Sequence, residues 1–163
     1  MDGTELPGDD LVTTVTAEEV RDVVARVVDP EIPVLTIEDL GILRGVTLDG
    51  DTVVCTITPT YSGCPAMRQI EDDIHAALDR HGYPDVVVRT VYQPAWTTDW
   101  ISEEGHRKLS AFGIAPPVSE DVVQCPRCET SDPRMIARFG STACKALMVC
   151  TSCGEPFDYF KQI

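Results

Sequence analysis

The sequence predicts an α/β (α+β) protein: a two-layer domain with a small mixed sheet and covering helices, followed by a four-cysteine zinc-ribbon module. Three observations carry this reading. Apolar periodicities alternate between residues 16 and 112 in the order helix, strand, strand, helix, strand, helix, which is the order of helices packed on a sheet. Five of the seven cysteines fall after residue 124, four of them in two Cys-x2-Cys pairs. The charge is also uneven. Residues 1–121 carry 8 Lys and Arg against 23 Asp and Glu, and residues 122–163 carry 5 against 4, as two modules with separate surfaces would.

Residues 1–15 are polar, acidic and aperiodic, and are expected to be a flexible lead-in to a domain over 16–113. Thr16 with Glu19 forms a capping box that starts the first helix. Val20, Val23, Val24, Val27 and Val28 give that helix one apolar face. Asp29-Pro30-Glu31-Ile32-Pro33 stops it, because each proline drives its predecessor out of helical geometry. Asp29 and Glu31 then lie on an extended loop, where a solvated turn is their plain reading. Residues 42–48 and 52–58 read as a hairpin around Asp49-Gly50-Asp51.

The next stretch, Thr58-Pro59-Thr60-Tyr61-Ser62-Gly63-Cys64-Pro65, joins the second strand to a helix marked by Met67, Ile70, Ile74, Ala77 and Leu78. Pro65 suits the first helical position, so Cys64 sits at the helix N-terminus. Free N–H groups and the helix dipole there are expected to lower its pKa. The alternative for Cys64 is a small buried residue closing the turn. The helix should stop at His81-Gly82, and residues 86–92 should form the third strand. Trp96 and Trp100 follow on a loop, read as a plug for the open end of the sheet in preference to a partner surface. A last short helix is expected over 102–112, ending at Gly113. None of the three histidines has a metal-spaced neighbour.

Residues 114–121, with Pro116-Pro117, read as a stiff linker to a module over 122–163. There Cys125 and Cys128 are separated by 21 residues from Cys150 and Cys153, the spacing of a tetrahedral four-cysteine site. Structural zinc is the expected occupant and iron–sulfur the alternative. A segment this short folds around its metal. Cys144 lies outside both pairs, as a core residue, a spare ligand or part of a thiol-exchange surface.

A net charge of -14 excludes nucleic acid as the main partner, since phosphate binding needs a basic face. No apolar run approaches the ~20 residues of a membrane span, and the acidic N-terminus is not a signal peptide, so a cytoplasmic protein is expected. A reducing cytoplasm also favours metal over disulfide for the paired cysteines.

Several irregular words occur together: Asp29-Pro30-Glu31-Ile32-Pro33, Asp39-Leu40-Gly41, Gly63-Cys64-Pro65, Pro94-Ala95-Trp96-Thr97-Thr98-Asp99-Trp100-Ile101, Gly113-Ile114-Ala115-Pro116-Pro117, Phe139-Gly140-Ser141-Thr142-Ala143-Cys144-Lys145-Ala146-Leu147 and Glu155-Pro156-Phe157-Asp158-Tyr159-Phe160-Lys161. The first three resemble the SufT-like iron–sulfur assembly family, and the full set resembles its PaaD branch, accessory proteins of the bacterial phenylacetyl-CoA epoxidase. The resemblance implies a non-catalytic maturation factor in phenylacetate catabolism, aiding iron–sulfur or metal-centre assembly of the epoxidase's reductase component. It also implies that Cys64 is the functional thiol, in contact with a transient iron–sulfur cluster, with Asp29 and Glu31 on the neighbouring loop. A permanent structural subunit without cluster chemistry is the alternative, and a homo-oligomer is compatible with either. The sequence lacks both a paired Glu-x-x-His di-iron set and a nucleotide-binding glycine fingerprint. Catalysis with Cys64 as nucleophile has no histidine nearby in sequence to act as base.

Overall fold

The computed structural model describes residues 14–118 and 122–163. Most of the expected lead-in and residues 119–121 of the expected linker lie outside them. Helix α1 (Ala17–Val24) starts at the capping box: Thr16 accepts from the Glu19 N–H, and the Glu19 carboxylate accepts from the Thr16 N–H at 2.9 Å. It ends a turn earlier than the valine pattern suggests. Val27 is still buried, but Val28 pairs with Thr36 in an isolated bridge and is exposed. β-branched residues favour that extended geometry once Asp29-Pro30 forbids another helical turn.

Strands β1 (Leu43–Asp49) and β2 (Thr52–Ile57) pair antiparallel around Gly50, which takes a positive φ of 61° that the tight turn requires. Helix α2 (Ala66–Arg80) crosses over to β3 (Val86–Thr90), which runs parallel to β2. The sheet order is therefore β1-β2-β3. Along β3, half-buried and exposed residues alternate, as expected of a sheet with helices on one face. Val20 and Val24 of α1 and Ile70, Ile74 and Leu78 of α2 fill the core against Val53, Cys55 and Ile57.

Trp96 is a plug, as its sequence suggests: it is buried, and its indole N–H donates to the Leu40 carbonyl at 2.8 Å. Trp100, in a short 3-10 turn (Thr98–Trp100), receives the Arg44 guanidinium over its ring at 3.8 Å. Gly41, at φ 69°, must stay glycine, because a Cβ would stand 2.6 Å from the Trp100 carbonyl oxygen. Helix α3 (Glu103–Ala111) is capped by Ser102 and tied back by Lys108, whose ammonium lies 2.6 Å from the buried Asp39 carboxylate. Burial alone would raise the Asp39 carboxyl, but bonds from Lys108 and Thr36 outweigh it and hold it below its ordinary range.

Ile114 and Ala115, read from the sequence as the start of a linker, form a two-residue strand, β4 (Ile114–Ala115). It pairs parallel with β7 (Pro156–Phe160), while β6 (Lys145–Cys150) pairs antiparallel with β7 and with β5 (Pro133–Ala137). The order is β4-β7-β6-β5. Phe160 of this second sheet and Cys144, in the turn just before β6, are buried in the α/β core, and Phe160 meets Trp96 with ring centroids 6.2 Å apart. Among the described residues no helix is long and apolar enough to cross a membrane.

Candidate functional site

The two cysteine pairs build matching knuckles. In each, the first cysteine's N–H closes a loop onto the residue five positions on (Cys125 to the Thr130 carbonyl, Cys150 to the Glu155 carbonyl). Its own carbonyl accepts from the residue four positions on, Glu129 or Gly154. Both of those donor residues adopt positive φ, 61° and 75°, the left-handed turn that folds two thiols toward one point. The sulfurs of Cys125 and Cys153 lie 3.8 Å apart and those of Cys128 and Cys150 3.5 Å apart, with all four within 4.8 Å of one another. A tetrahedral ion with metal–sulfur bonds of about 2.3 Å sets its ligand sulfurs about 3.8 Å apart, so the quartet fits one. The thiol chemistry agrees. Donors from Thr130, the hydroxyl foremost, hold Cys128 down at about 6. The Glu155 N–H would lower Cys153 too, but desolvation and the neighbouring sulfurs push it up to about 12. Four crowded thiolates are stable together only around a cation.

Cys64 lies where the sequence places it, one residue before the cap of α2, which is Pro65. Its N–H donates to the Tyr61 carbonyl at 3.2 Å, and its carbonyl accepts from the Met67 N–H at 3.3 Å. The expected lowering of its pKa is corrected by the structure. Burial raises the thiol, the Ala66 N–H counteracts this, and the Glu31 carboxylate raises it again. The half-buried thiol is therefore shielded rather than spontaneously ionised.

Asp29 and Glu31 differ in kind. Asp29 is buried, and one of its oxygens accepts from the Glu31 N–H at 2.7 Å and the Ile32 N–H at 2.9 Å, which shapes the loop. Burial pushes its carboxyl up, against those bonds and Lys145. Glu31 is half-buried and is raised by burial and then by Asp29. Its charge helps to raise the Cys64 thiol. Sequence reasoning left Cys144 open and gave Lys145 no role. The fold buries both: burial raises the Cys144 thiol, with the charges of Glu31 and Asp29 adding to it, and the Lys145 charge lowers both carboxyls of this loop. The signal available was the word 139–147, which no local periodicity explains.

Comparison with known proteins places this arrangement. Residues 17–91 match the family described as iron–sulfur cluster assembly protein, and residues 114–161 match the PaaD zinc beta ribbon domain. An Escherichia coli (strain K12) protein named as part of 1,2-phenylacetyl-CoA epoxidase is 46% identical over 152 residues, covering 89% of this chain and 92% of that one. The chain belongs to the PaaD family. Its α/β part also resembles an Fe-S protein maturation auxiliary factor of Porphyromonas gingivalis (strain ATCC BAA-308 / W83). That protein is 33% identical, over 58% of this chain and 90% of its own length. Among solved structures, a domain of unknown function (DUF59) from Bacillus anthracis superposes with a TM-score of 0.53 at 28% identity, covering 57% of this chain and 90% of its own. This PaaD-family chain thus joins a widespread α/β fold to a second, four-cysteine sheet.

Proposed function

We propose that this chain is a non-catalytic delivery factor of the cytoplasm. It would hand iron–sulfur clusters to the phenylacetyl-CoA epoxidase system of phenylacetate catabolism, with the iron–sulfur reductase component as client. Cys64 is the thiol that contacts the cluster, and Asp29 and Glu31 shape and charge the neighbouring loop. The ribbon, held by zinc on Cys125, Cys128, Cys150 and Cys153, is structural. The likeness of the α/β part to Fe-S protein maturation auxiliary factors supports the cluster role, and the Escherichia coli relative named for the epoxidase supports the system served. The observation that carries the reading is the Cys64 sulfur. It is half-buried one residue before the cap of α2; burial raises the thiol, and the Ala66 N–H at the helix start would favour a thiolate once a metal displaces the proton.

The test is reconstitution of the epoxidase from components produced with and without this protein. A delivery factor leaves an iron-deficient reductase when it is absent, and adds nothing to the rate of complete components. A permanent structural subunit gives the reverse: fully loaded components that turn over only when this chain is added, in a complex stable on size exclusion.

A further inference from the structure

We propose that the exposed edge of the second sheet, from Arg134 to Phe139, is the docking surface for the client protein, which meets it with an acidic segment carrying apolar side chains. This rests on the delivery reading and names the place where the client is held. Strand β5 is the last in the order β4-β7-β6-β5, so among the described residues one of its edges has no strand beside it. Met135, Ile136 and Phe139 are 49%, 50% and 63% exposed, three large apolar side chains within five residues. A strand ordinarily turns alternate residues to opposite faces. Here a bulge breaks the register: Met135 stands opposite Met148 and Ala137 opposite Leu147, which leaves Ile136 as the extra residue. Two consecutive apolar side chains are thereby held in solvent. The bulge also interrupts the free edge, so the contact is made by side chains and not by an added strand.

Charge selects the occupant. Arg134 and Arg138 lie among these apolar residues, no acidic residue falls between Pro133 and Phe139, and among the described residues neither arginine makes an ion pair. Lys161 adds a third cation: its ammonium lies 4.3 Å from the Phe139 ring centroid and donates to the Arg138 carbonyl at 3.2 Å. Aromatic, Met and Arg side chains are those enriched where proteins meet. The whole chain carries a net charge of -14, so an acidic client is repelled elsewhere and attracted to this edge, which sets its orientation. The same net charge opposes an anionic lipid surface. A second copy paired edge to edge, antiparallel about Ile136, would set Arg134 against the second copy's Arg138. The Porphyromonas gingivalis factor matches 58% of this chain over 90% of its own length, so the second sheet is what this chain adds to the shared fold. A surface on the added sheet suits a client that such factors do not share.

The experiment uses the full chain with its ribbon metal bound, and the purified, iron-free reductase component of the epoxidase as probe. Calorimetry at low and high salt compares wild type with Ile136→Ser, Phe139→Ser and the double variant Arg134→Glu, Arg138→Glu. Phe112→Ser, at an apolar side chain 56% exposed just after α3, is the control. All these side chains are exposed, and metal content with circular dichroism checks that each variant is folded. The three edge variants should bind about tenfold or more weakly, the double variant should also lose its salt dependence, and Phe112→Ser should bind as wild type does. In iron transfer to the reductase, the edge variants should need about tenfold more protein for half the maximal rate yet reach the wild-type maximum, which a damaged ribbon would not do. If the edge variants bind as tightly as wild type, the inference falls and the delivery reading stands. If wild type neither binds the reductase nor transfers iron to it, both fall. Binding of wild type to phosphatidylserine vesicles, or its self-association on size exclusion, lost in Ile136→Ser, would give the edge to lipid or to a second copy and overturn the client.

Discussion

Phe160→Ala should destabilise both sheets together, although the residue belongs to the second. Its ring is 1% exposed and meets Trp96, whose indole is in turn bonded to the Leu40 carbonyl between α1 and β1. Removing a fully buried Phe costs about 3–5 kcal/mol, and the loss of its aromatic neighbour places this site near 4. With a urea slope of roughly 2 kcal/mol per molar, the midpoint should fall by about 2 M. The assay follows tryptophan emission, which reports the α/β part because Trp96 and Trp100 both lie there. It follows release of the ribbon metal to a coloured chelator in parallel. Coincident curves in wild type that move down together in the variant are expected. A tryptophan midpoint that stays put while metal release shifts would show two independent modules and refute the reasoning.

Three further outcomes follow. Cys125→Ser should lose the ribbon metal and amide protection through residues 122–156, while the hairpin β1-β2 keeps its protection in hydrogen exchange; stoichiometric metal retained in that variant would remove the four-cysteine assignment. Alkylation of Cys64 should keep rising above pH 9, because its thiol is raised, yet should run ahead of the fully buried Cys55, which is pushed up to about 11; Glu31→Gln removes a repelling charge and should speed Cys64 labelling severalfold at pH 7, and an unchanged rate would exclude Glu31 as its neighbour. Asp39→Asn should cost about 2 kcal/mol at pH 7 through the Lys108 and Thr36 bonds; because the folded carboxyl lies below its unfolded value, that stability is present above about pH 4 and lost as the pH falls through the folded pKa, so urea midpoints of variant and wild type should converge in acid.

What the sequence made legible was local. The Thr16–Glu19 box, the Gly50 turn, the α2 stripe and the two knuckles each declare themselves within a few residues, and the structure reproduces them. The misreadings came from partners distant in sequence. Ile114-Ala115 carries no strand signature of its own and becomes one only because Asp158 and Tyr159 lie beside it. The helix end at Cys64 pointed to an acidic thiol, but burial and Glu31, 33 positions earlier, reverse the sign. Cys144 and Lys145 had no periodic pattern, since they are buried by the way the turn before β6 and the start of β6 fold in, not by a repeating stripe of their own.

Strand β7 lies between β4 and β6 but is synthesised after both. The α/β part can therefore leave the ribosome with its helices and sheet formed, while Trp96 still lacks Phe160. The second sheet closes only when the last strand is threaded between two waiting neighbours. A nascent or truncated chain would thus fold most of the way and wait for its final residues to complete the core, so the order of manufacture makes the C-terminal strand the last stone of both sheets.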